Sequence, residues 1–65
     1  ISARNRLQGT IEKITLDEVN GEVIVNIGED MIVAVITANS IKSLDLNIGD
    51  KVSAIIKSSD VMIGK

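Results

Sequence analysis

Three short polar groups in this 65-residue chain carry hydrogen-bond donors and no carboxylate. They are Ser2-Ala3-Arg4-Asn5, Thr37-Ala38-Asn39-Ser40 and Lys57-Ser58-Ser59. Hydroxyls, amides, one guanidinium and one ammonium are the donors a tetrahedral oxyanion needs. Its oxygens only accept, and its charge favours short, charge-assisted hydrogen bonds. The missing acids matter because the chain holds nine Asp and Glu in all, and any of them at such a spot would repel an anion. Each group also has a plainer reading: a solubilising terminus, a helix cap with its decoration, and a polar turn. Spacing alone leaves both readings open.

Other chemistries find less support. The chain has no His and no Cys, so the usual general base, nucleophile and soft-metal ligands are absent. Its acids are scattered at expected turns, and Glu29-Asp30, a candidate pair for a hard cation, matches no calcium-loop pattern. The expectation is a binding protein and no enzyme, with no resident cofactor.

The elements that must position these groups read as short strands punctuated by glycines. A first strand is expected over residues 7–16, with a bulge near Glu12-Lys13 where the apolar alternation changes phase. Asn20-Gly21 has the composition of a type I′ hairpin turn, leading into a second strand over residues 22–27. Residues 31–37 (MIVAVIT) are apolar on both faces, which suggests one face inside a barrel and the other against another subunit. Residues 38–44 (ANSIKSL) are expected as one short helix capped by Thr37 or Asn39, with Ile41 and Leu44 facing inward. Gly49 is expected in the left-handed conformation before a strand over residues 51–57, and residues 61–63 (VMI) are expected as a last strand. The sum is an all-β, OB-like, five-stranded antiparallel small barrel with one short helix between strands 3 and 4, a single domain over residues 1–65.

A domain this small buries only about 60% of its unfolded surface, and disulfides or His/Cys metal sites are not open to it as staples. Self-association is the expected remedy. Hydrophobic residues make up 45% of the chain without one Phe, Trp or Tyr, so Ile, Val, Leu, Met and Ala must build the core. A net charge of −2 offers no broad footprint for nucleic acid, and the missing aromatics remove the base-stacking platforms of nucleic-acid OB domains. No run approaches the roughly 18 apolar residues of a membrane span, so the expectation is a cytoplasmic protein with neither membrane nor nucleic-acid partner.

Four stretches together resemble the molbindin family of small Mop-type molybdate- and tungstate-binding proteins. They are S-A-R-N-x-L-x-G from Ser2 to Gly9, I-T-x-x-S from Ile36 to Ser40, L-x-L-x-x-G-D from Leu44 to Asp50, and A-x-I-K-[SA]-[ST]-x-V from Ala54 to Val61. The resemblance covers essentially the whole chain. It implies a homohexamer, a trimer of dimers, that binds molybdate or tungstate between subunits. One subunit would contribute Ser2, Arg4, Lys57 and Ser58, with backbone N–H groups of Ala3 and Asn5. The facing subunit would contribute Thr37 and Ser40. It equally implies that the chain could be the ligand-sensing domain of a molybdate-responsive regulator or transporter ATPase.

Overall fold

The computed structural model describes residues 3–65. Four strands, β1 (Arg4–Leu16), β2 (Asn20–Asn26), β3 (Met31–Thr37) and β4 (Lys51–Lys57), form one antiparallel sheet in the order β3-β2-β1-β4. A short helix, α1 (Ala38–Ser43), follows β3, and a single 3-10 turn (Ser58–Asp60) follows β4.

The long β1 organises the rest. Its first half, Arg4 to Thr10, pairs with β4, and its second half, Thr10 to Leu16, pairs with β2. The register slips between Ile11 and Lys13, so Glu12 is the bulged residue expected from the phase change. Thirteen residues would span roughly 40 Å if straight. The bulge bends the strand, curling the sheet into a half-barrel whose longest extent is 34 Å.

The concave face holds the core. Ile11, Val23, Val25 and Ile41 form its buried cluster, packed round by Ile14, Ile27, Ile32, Ile36, Leu46 and Val52. Ile11, at the bend, is the most completely enclosed. Between β3 and β4, the two outer strands, the half-barrel stays open as an apolar groove of about 530 Å³.

Several expectations need correcting. The β1–β2 reversal is made by Asp17-Glu18-Val19, and Asn20 and Gly21 are already strand residues. Asp17 wins because its carboxylate accepts from the backbone N–H of both Val19, at 2.9 Å, and Asn20, at 2.6 Å. Gly21 serves a different need: a Cβ there would collide with the Ile41 side chain, so glycine lets α1 lie against β2. The helix ends at Ser43, and Leu44 is 67% exposed, because α1 presents only Ala38 and Ile41 to the core. Residues 61–63 form no fifth strand: they pair with none of the four strands, and Met62 and Ile63 are each 92% exposed. Gly49 takes φ +94°, the left-handed conformation expected of it.

Candidate functional site

Two donor-rich corners emerge. At the first, Arg4 and Lys57 are direct cross-strand neighbours in the β1–β4 ladder, and the Ser58 N–H donates to the Ala3 carbonyl at 3.0 Å. Ala3, Arg4, Asn5, Lys57 and Ser58 therefore meet at one end of two paired strands, all exposed. Asn5 faces Ile56, and its amide donates to the Ile56 carbonyl at 3.4 Å. Ser2 lies outside the described residues.

Two cations placed directly opposite one another in a ladder repel. No carboxylate occupies a register position within this corner: the pairs inward from Arg4–Lys57 are Asn5–Ile56 and Arg6–Ile55. An anion held between the two cations would relieve that repulsion.

At the second corner, Thr37 ends β3 and begins α1. Its hydroxyl accepts from the Ser40 N–H at 3.0 Å, which is the helix cap, and lies 2.7 Å from the Ser40 hydroxyl. Two hydroxyls that share one bond keep one O–H free to donate outward. The N–H of Ala38 is engaged by the Val19 carbonyl at 2.8 Å, which ties the start of α1 to the β1–β2 turn. Thr37 is exposed and Ser40 half-buried. The direct neighbour of Thr37 on β2 is Asn20, a neutral amide that sequence reasoning assigned only to a turn.

The fold keeps these corners apart within one chain. β3 and β4 are opposite edges of the sheet; Arg4 and Lys57 mark the first end of β1, whereas Thr37 lies level with its far end, beyond Leu16 and Gly21. Within one chain the two sets of donors do not meet.

Beside the second corner, Asp17 has a displaced titration. Hydrogen bonds from the N–H groups of Asn20 and Val19 hold it below the usual carboxylate range. Among the described residues, no group of three or more His, Cys, Asp or Glu could hold a metal ion, and no buried side-chain polar atom lacks a partner.

A curled antiparallel sheet with one short helix after its third strand, and uncapped donors at strand ends, defines a small OB-like ligand-binding domain. The chain belongs to the TOBE domain family, whose model matches residues 1–63. Molybdenum-pterin-binding protein 3 of Clostridium pasteurianum is 41% identical to it over 64 residues, 97% of this chain and 94% of that protein. The structure of a molybdate-binding protein from Sporomusa ovata superposes with a TM-score of 0.93 at 35% identity, covering 100% of this chain and 97% of the other. The molybdenum transport protein ModE of Azotobacter vinelandii is 41% identical over 63 residues, which are 95% of this chain and 23% of ModE.

Proposed function

We propose that this chain binds molybdate or tungstate reversibly, without catalysis, at sites shared between copies of itself, and so serves intracellular storage or homeostasis of the oxyanion. The observation that carries the reading is the division of one donor set between opposite edges of the sheet. Two copies complete the set; one does not. Relatives that include a molybdate-binding protein of the same fold support the choice of ligand.

Arg4 and Lys57 of one copy supply positive charge, with the hydroxyls of Ser2 and Ser58 and the backbone N–H groups of Ala3 and Asn5 around them. Thr37 and Ser40 of the facing copy close the shell. All these groups donate, which suits an acceptor-only dianion, and no bond in the ligand is made or broken. Cavity size separates molybdate and tungstate from the smaller sulfate, while the two larger anions, alike in charge and shape, compete on nearly equal terms. The assembly proposed is a homohexamer built as a trimer of dimers, in the cytoplasm, with neither nucleic acid nor membrane as partner.

A second reading has one observation behind it. The match to ModE spans 23% of that longer protein, so the same domain also occurs as part of a larger chain. There, oxyanion binding would serve sensing rather than storage.

Native mass spectrometry with and without molybdate tests the proposal. The expected spectrum is a homo-oligomer, six chains in the full assembly, that gains whole molybdate masses. A monomer that ignores molybdate overturns it.

A further inference from the structure

Arg6 follows the first donor group along β1 yet has no part in the proposed anion shell. It is exposed and lies two residues from Arg4 on the same face of β1, a step of about 7 Å. Its neighbour across the ladder is no carboxylate but Ile55, itself 54% exposed. The first corner therefore continues into a second row, a cation beside an uncovered apolar side chain.

The other corner continues in the complementary way. Two residues along β2 from Asn20, on the same face, comes the exposed Glu22. Its neighbours across the ladders are Thr15 on β1 and Val35 on β3, and Val35 is 67% exposed. The step from Asn20 and Thr37 to Glu22 and Val35 has the same length as the step from Arg4 and Lys57 to Arg6 and Ile55. Charge leans the same way: Arg4, Arg6 and Lys57 cluster at the first corner, with Asp60 in the turn beyond them, whereas Asp17, Glu18 and Glu22 surround the second, with Lys13 on β1 and Lys42 on α1 nearby.

We infer that Arg6 of one copy pairs with Glu22 of a second copy while Ile55 packs on Val35, a contact row beside the oxyanion site that sets the register of its two halves. The inference rests on the two-copy reading above. An isolated exposed ion pair contributes little by itself. Joined to apolar burial and repeated at each interface of a closed assembly, it selects one docking register and rejects those that set like charges together. It also gives the unliganded protein a way to hold its half-sites opposed before the anion arrives.

Sedimentation velocity over a protein dilution series, without molybdate, tests it on the full chain. The variants are Arg6→Glu, Glu22→Arg and the double exchange. Both positions are exposed and have no directly opposed charged ladder partner, and circular dichroism of each variant serves as the check that it keeps its sheet. Each single reversal should raise the concentration of half-assembly about tenfold or more, and the double exchange should return it to within about threefold of the parent. Singles that assemble like the parent, or a double variant no better than the weaker single, overturn the pairing. The two readings fail separately: a parent chain that stays monomeric with and without molybdate removes the two-copy site itself, whereas an assembling parent with indifferent singles removes only the Arg6–Glu22 row.

Discussion

Arg4 and Lys57 face each other across a ladder with no acid between them, so each should contribute mainly when an anion lies in their shared field. Replacing either with Ala is expected to weaken molybdate binding by roughly 1.5–3 kcal/mol, the range for hydrogen bonds to charged groups. Titration calorimetry showing parent-like affinity in both variants would remove them from the site. Asp17 acts on stability instead. Its folded-state titration is depressed by the Asn20 and Val19 N–H groups, so its contribution is complete above the unfolded-state value and fades as pH falls through the lower, folded one. Asp17→Asn should therefore melt below the parent at neutral pH and alongside it in strongly acidic solution, as followed by circular dichroism. The polar groups at the corners are legible in the sequence because acids are missing from them. Asn20 is not, because its neighbour Thr37 is 17 positions away and only the register brings them together.

At the scale of elements, β3 and β4 occupy residues 31–37 and 51–57, as apolar runs bounded by turn residues predict. The β1–β2 reversal shows the limit of local reasoning. Asn20-Gly21 has the chemistry of a tight turn, yet the Asp17 carboxylate satisfies two N–H groups three residues earlier, and Gly21 is needed for clearance beneath Ile41. Gly21→Ala should consequently cost about 1–3 kcal/mol by overpacking the seam between β2 and α1, read as a lower urea midpoint. An unchanged midpoint would mean that α1 moves aside freely. Thr37 serves two elements at once: it caps α1 and holds Ser40 beside it, so the second corner owes its geometry to the short helix.

For the molecule as a whole, five hydrophobic residues are buried among the described residues of the isolated chain, while Met31, Val33, Val35 and Ile55 remain more than half exposed. No helix among the described residues is long and apolar enough to cross a membrane. A core this small gains from a second copy, and an anion that binds only the assembled form adds to it by mass action. Thermal melting should rise with free molybdate, by a stabilisation of about 2.7 kcal/mol at a hundred times Kd. It should rise with protein concentration as well, since the site needs two chains. A melting temperature indifferent to both would oppose a shared site.

The sequence by itself determined four of the strands, a bulge near Glu12-Lys13, a short helix after the third strand capped by Thr37 or Asn39, and the acid-free polar groups. Each follows from side-chain chemistry acting over a few neighbouring residues. Only the tertiary structure decided that Arg4 stands opposite Lys57, that Thr37 stands opposite Asn20, and that these pairs lie at opposite edges of one sheet. Pairing register joins residues far apart in the chain, and strand order fixes which edge each pair occupies; neither leaves a local trace in composition or periodicity. The same holds for residues 61–63, apolar enough for a strand yet exposed and paired with none of the four strands.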